Sequence, residues 1–153
     1  MTKILVVSDT HGCKAELNKL IKDNPCDYVF FLGDTINDIV DVPTDNLYVV
    51  KGNWDITLKY KSKQYINIEG IDILLLHGYG YGVRKSLDKL VELAKAHNVK
   101  LVCYGHSHLQ RTDVIDGITF VNPGAYSLAK GGKFTYSIVE IADKKIYVNM
   151  LKK

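Results

Sequence analysis

Seven side chains scattered along the 153-residue sequence have the chemistry to hold metal ions: Asp9, His11, Asp34, Asn53, His77, His106 and His108. They offer two carboxylates, one carboxamide and four imidazoles without sulfur, a donor set that suits borderline or hard divalent ions such as Mn, Fe, Co, Ni or Zn. Asp9 and His11, like His106 and His108, are two residues apart, a spacing that turns both side chains to one side if the backbone stays extended. Glycine stands directly before Asp34 and before Asn53, where a tight turn would let the backbone approach an ion. Taken singly, a histidine at a strand end is most often a hydrogen-bonded structural residue, and Gly-Asp or Gly-Asn is an ordinary turn. Their joint placement carries more weight, because every histidine except His97 falls just after an apolar run. His97 itself reads as a solvent-facing partner of a helix C-terminus.

The elements that must position these residues follow from periodicity. Short apolar runs at Ile4 to Val7, Tyr28 to Leu32 and Leu47 to Val50 give way abruptly to Gly or small polar residues and read as buried strands. Between the first two, Ala15, Leu17, Leu20 and Ile21 recur at helical spacing over Lys14 to Lys22, which predicts a strand, helix, strand unit and a parallel pair. A second helix is expected over Arg84 to His97, followed by an apolar run at Lys100 to Tyr104. Tyr65 to Ile68 with Ile71 to Leu76, Asp113 to Ile115 with Ile118 to Val121, and Phe134 to Ile141 with the turn at Ala142 to Lys145 read as antiparallel segments. In α/β proteins the C-terminal ends of strands converge on one rim, so five strand ends would bring seven donors to one place.

Bulk properties narrow the classes. The length and the 46% hydrophobic and 24% charged composition predict one globular domain over residues 1–153. Three widely spaced cysteines form neither a disulfide framework nor a thiolate zinc site, which points to a reducing, cytoplasmic setting. No window reaches the apolar length of a membrane span, and a charge of +3 with scattered Lys and Arg lacks the basic stripe of a nucleic-acid binder.

Read in order, Asp9-x-His11, Gly33-Asp34, Gly52-Asn53, His77 and Gly105-His106-x-His108 resemble the calcineurin-like metallophosphoesterase superfamily from residue 4 to about residue 126. The short chain and Asn122-Pro123-Gly124 after the last motif are most similar to its small bacterial and archaeal phosphodiesterases of the YfcE type. The resemblance implies an α/β fold, a four-layer αββα sandwich of two mixed β-sheets flanked by helices, with a dinuclear centre at the rim. It implies that Asp9, His11 and His108 hold one divalent ion, that Asn53, His77 and His106 hold the other, and that Asp34 bridges them. Manganese is the expected metal, with Fe, Ni, Co or Zn as alternatives. The expected reaction is attack by metal-bound hydroxide on a small phosphodiester, with Asp34, Asn53, His77 and His106 acting through the metals and the phosphate. Phosphomonoester hydrolysis, on nucleotides or phosphoproteins, and a non-catalytic scaffold such as the retromer subunit of the same fold are the rival readings; a homo-oligomer is compatible with either.

Many members of that superfamily carry a histidine after the Asn, thought to protonate the leaving group, where this sequence has Trp54. Trp54 is expected either to wall the pocket or to fill a gap in the core. Asp55 would orient an imidazole or its loop, with a turn carboxylate as the plain alternative. Asn122 lies in a loop able to approach metals or substrate, although Asn-Pro-Gly is also turn chemistry. Tyr79 and Tyr81 beside His77 would form a pocket wall or a subunit contact. Cys13 and Cys103 read as buried small hydrophobes, and Arg84 and Arg111 either meet substrate anions or, as isolated arginines usually do, lie on a solvated face.

Overall fold

A computed structural model describes residues 1–39 and 46–153. The first sheet is built from β1 (Thr2–Val7), β2 (Tyr28–Phe31), β3 (Leu47–Val49), β9 (Thr135–Ala142) and β10 (Lys145–Lys152), in the order β10-β9-β1-β2-β3. Its β1, β2 and β3 run parallel, whereas β9 lies antiparallel to β1 and β10 returns along it. The second sheet contains β4 (Lys63–Ile68), β5 (Ile71–Leu76), β6 (Leu101–Cys103), β7 (Arg111–Ile115) and β8 (Ile118–Asn122), in the order β4-β5-β6-β8-β7. Here β5, β6 and β8 are parallel, with β4 and β7 antiparallel at the edges. Helix α1 (Lys14–Asp23) joins β1 to β2, and α2 (Asp88–Ala96) joins β5 to β6.

Alternation along the strands explains the layering, because successive side chains of a strand point to opposite faces. Ile4 and Val6 of β1 pack with Ile73 and Leu75 of β5 and with Leu101 and Cys103 of β6, forming the core between the two sheets. Leu5 and Val7 point the other way and meet Leu17 and Leu20 of α1. On the far side, Leu74, Val102 and Phe120 meet Leu87, Leu90 and Ala94 at and within α2. The result is the expected four-layer αββα sandwich. β1, β2, β5 and β6 are largely buried within it, which fixes their C-terminal ends, and β3 at the sheet edge is held by its pairing with β2.

Helix α2 starts at Asp88 rather than at Arg84. The preceding chain turns instead: the Lys85 and Ser86 N–H groups donate to the Gly82 carbonyl, Gly82 has φ 65°, and the Ser86 hydroxyl accepts from the Asp88 N–H. Local side-chain and turn bonding of this kind competes with helix formation. None of the described helices is long and apolar enough to cross a membrane.

Candidate metal centre

The donors stand just beyond five strand ends, but not on extended backbone. Asp9 (φ 54°), His11 (φ 44°), Asp34 (φ 53°), His106 (φ 72°) and His108 (φ 62°) all take left-handed conformations. The expectation that the Asp9/His11 and His106/His108 pairs face the site by strand alternation is therefore corrected: each pair is aimed by a tight turn. A non-glycine residue in this region costs about 1–3 kcal/mol, and such outliers gather at functional sites. The sandwich meets that cost through bonds to the loops. The Asp9 N–H donates to the Gly33 carbonyl, Ser127 Oγ donates to the Asp9 carbonyl, and the Gly105 N–H donates to the His77 carbonyl.

Asp9 lies at the centre. Its Oδ2 accepts from Ser8 Oγ at 2.7 Å and from the His106 N–H at 3.2 Å. Its Oδ1 is buried without a hydrogen-bond partner, although His108 Nε2 is 3.2 Å away and the Nε2 atoms of His11 and His77 are each 3.7 Å away. Burial alone would raise the pKa of this carboxyl, but His108, His11, His77 and the Ser8 hydroxyl outweigh it and hold it well below the usual carboxylate range. An ionised, buried oxygen ringed by three imidazole nitrogens and without a hydrogen-bond donor is an arrangement that a divalent cation would satisfy.

Asp34 faces His77, with Oδ2 3.2 Å from Nε2, and its Oδ1 accepts from the Trp54 N–H at 3.0 Å. His77 directs its Nδ1 to the Leu32 carbonyl oxygen at 2.7 Å, which makes Nδ1 the protonated nitrogen and frees Nε2 as a ligand atom. Two triads among the described residues have ligand atoms close enough for one ion: Asp9, His11 and His108, and Asp9, Asp34 and His77. The carboxylate common to both is Asp9. His106 adjoins the second triad, its Nδ1 3.3 Å from His77 Nε2. Asn53 is exposed at the edge of a cavity of about 260 Å³ that it lines with His77, Tyr79 and Tyr81.

Protonation follows the same geometry. Burial opposes the charged form of His77, but Asp34, Asp9 and the Leu32 carbonyl prevail and raise its pKa. The pKa of His108 is raised chiefly by Asp9, and that of His106 is lowered by burial, His77 and Arg84.

These observations bear directly on family. A family profile described as "Calcineurin-like phosphoesterase superfamily domain" matches residues 2–144. The chain belongs to that superfamily. A probable metallophosphoesterase of Mycoplasma pneumoniae is 31% identical over 133 residues, covering 85% of this chain and 82% of that protein. A conserved Streptococcus pneumoniae protein described as a predicted phosphoesterase superposes with TM-score 0.87 at 28% identity, over 99% of this chain and 89% of its own. An archaeal phosphodiesterase shares the fold, with TM-score 0.75 at 21% identity, covering 97% of this chain and 99% of that one. As a member of the calcineurin-like phosphoesterases, the chain is a metal-dependent phosphoesterase.

The remaining candidates divide within this phosphoesterase. Asp55 is an organiser: its Oδ2 accepts from the N–H groups of Asp34 and Gly52 and its Oδ1 from that of Ile36, each at 2.8 Å. One carboxylate thus fixes the turns that carry Asp34 and Asn53. Asn122 is buried, so it does not meet substrate; its Nδ2 donates to Ser107 Oγ and the Gly105 carbonyl, bracing the turn that carries His106 and His108. Trp54 is 61% exposed, which excludes the core-filling reading. Tyr79 sets its ring against the edge of His106, with centroids 5.5 Å apart. Cys103 is buried as expected, but Cys13 is half-buried. Arg84 is exposed, and exposed Arg111 is engaged with Asp113. His97 is exposed beyond α2, with its ring 4.6 Å from that of Tyr65.

Two groups went unrecognised in the sequence. Ser8 was concealed by its ordinariness beside Asp9. Asp38, buried, accepts from Thr10 Oγ1 at 2.6 Å and the Gly12 N–H at 2.8 Å, tying down the turn after β1; no motif marks it.

Proposed function

We propose that this phosphoesterase hydrolyses small phosphodiesters at a centre of two divalent ions. The observation that supports this most is the buried, unpartnered Asp9 Oδ1 with the Nε2 atoms of His108, His11 and His77 around it. In this reading Asp9, His11 and His108 hold one ion and Asn53, His77 and His106 the other, with Asp34 as the bridge. Family resemblance makes manganese the ion proposed, and the oxygen and nitrogen donors would equally accept Fe, Co, Ni or Zn. Bound ions would lower the pKa of a water and offset charge on the phosphoryl oxygens.

The chain's own residues supply the remaining order. The Leu32 carbonyl holds the His77 ring in the tautomer that presents Nε2, and Asp55 keeps the Asp34 and Gly52 turns together. Asn53, Tyr79 and Tyr81 line the recess beside His77 in which an ester would lie. Hydrolysis then breaks one phosphorus–oxygen bond, with water supplying the new oxygen and the proton on the departing alcohol. The unpaired cysteines and the absence of a described membrane-crossing helix support a cytoplasmic setting.

A metal-resolved comparison of bis-p-nitrophenyl phosphate with p-nitrophenyl phosphate tests the substrate class. A higher kcat/KM for the diester supports the proposal, and preference for the monoester replaces it with phosphomonoesterase activity. Asp34→Asn in the same assay tests the bridge, because full activity would transfer that role to Asp9, the carboxylate shared by both triads. No turnover of either ester with any of these metals would favour the non-catalytic scaffold.

A further inference from the structure

Two loops flank the metal centre and touch each other through a cation and a ring. Trp54 follows Asn53 and is fastened from beneath, its backbone N–H bonded to Asp34 Oδ1 at 3.0 Å while most of its side chain is exposed. On the other side, the short 3-10 turn Ala129–Gly131 is docked on His108, whose Nδ1 lies 3.3 Å from the Ala129 carbonyl oxygen. Lys130 extends from that turn, and its Nζ stands 4.7 Å from the centroid of the Trp54 ring. One partner is thus anchored to a ligand of each triad.

Lys130 is held at some cost. Its φ of 50° and ψ of 43° are left-handed, a conformation a lysine takes only when its surroundings impose it. Among the described residues no carboxylate lies within ion-pairing distance of its ammonium, so the indole face is the partner it has. A cation–π contact at an exposed site is weak, whereas a charge-assisted bond from an ammonium to a phosphate oxygen is roughly twice as strong as a neutral one. An anion arriving at the centre would compete successfully for that ammonium.

We propose that Lys130 is a substrate-binding residue, parked on Trp54 in the free protein and drawn from the ring to an oxygen of the phosphoryl group when an ester binds. The proposal rests on the phosphoesterase reading of the site. Trp54 is its positioning partner, keeping the flexible lysine side chain between the loop that follows Asn53 and the turn that touches His108. Because Trp54 is the single tryptophan of the chain, its fluorescence, excited at the red edge where the ten tyrosines do not absorb, reports the movement.

The experiment is a titration of the zinc-loaded protein with inorganic phosphate, followed by Trp54 emission and, in parallel, by calorimetry. The parent protein is expected to show a saturable change in emission with the same midpoint as the calorimetric isotherm. Lys130→Gln should lose the emission change and bind phosphate about tenfold or more weakly, and Lys130→Arg should recover most of the affinity. Lys133→Gln, which removes an exposed charge from the same loop, should match the parent. Calorimetric binding without an emission change, or Lys130→Gln binding as the parent does, overturns the role of Lys130 while leaving the metal centre standing. No calorimetric binding of phosphate by the loaded parent overturns the site reading and this proposal with it.

Discussion

The Nδ1 of His77 and the carbonyl oxygen of Leu32 lie 2.7 Å apart, joining the end of β5 in one sheet to the end of β2 in the other. This bond sets the ring tautomer and at the same time closes the rim of the sandwich. His77→Ala should leave a buried carbonyl without a donor and lower stability by about 1–3 kcal/mol. It should also reduce the metal retained after dialysis. Urea unfolding and elemental analysis of the same preparation would check both, and unchanged metal content would remove His77 from the ligand set.

Asp55 is expected to matter out of proportion to its distance from the chemistry. Asp55→Ala removes the acceptor of three backbone N–H groups, those of Asp34, Ile36 and Gly52. At about 1 kcal/mol or more for each bond, a loss of roughly 2–4 kcal/mol is expected. Metal affinity should weaken by about 10- to 100-fold, as when the partners that orient a ligand are removed. Competition with a chromophoric chelator gives the affinity, and a parent-like value would reduce Asp55 to a turn residue.

Gly52 and Gly105 leave space that the two carboxylates occupy. A Cβ at Gly52 would collide with Asp34 Oδ1, and one at Gly105 with Ser8 Oγ and Asp9 Oδ2. Gly52→Ala and Gly105→Ala should therefore displace the carboxylates, costing about 1–3 kcal/mol of stability and most of the metal binding while the sheets persist. Far-UV circular dichroism together with metal titration separates the two effects. Either variant binding metal as the parent does would show that the carboxylates have freedom to move.

The protonation states predict how metal and acid act on stability. The lowered pKa of Asp9 contributes stability present above its unfolded value near 3.9 and lost only when pH falls through its lower folded value. The raised pKa values of His77 and His108 work in the opposite sense: their contribution is full below about 6.5 and is lost as pH rises through the folded values. The lowered pKa of His106 opposes them, its penalty present at acid pH and lifted above about 6.5. With two histidines raised against one lowered, the metal-free protein should be most stable between about pH 4 and 6.5 and lose stability on the alkaline side. Metal binds deprotonated imidazole, so the rise in Tm on loading should grow from about pH 6 to pH 8. Paired melts with metal and with chelator test this, and a metal effect independent of pH would contradict imidazole ligation.

The candidate donors and the strand ends that carry them were legible in the amino-acid sequence. Buried strands are written as apolar runs, so the residues at which each run breaks, Asp9, Asp34, Asn53, His77 and His106, mark its edge. Alternation within Ile4 to Val7 likewise encoded two buried faces for β1, and hence a sheet covered on both sides. The direction of the ligands was not legible, because the left-handed φ values of Asp9, His11, His106 and His108 are imposed by bonds from remote loops and oppose local preference. The same holds for the oxygen of Asp9 left unpaired among imidazoles from three strand ends, for Asp38 beneath the turn after β1, and for Lys130 brought from the far end of the chain onto Trp54. Residue type and periodicity are properties of a few neighbours, whereas burial, strain and encounter between distant loops exist only after the sheets have packed.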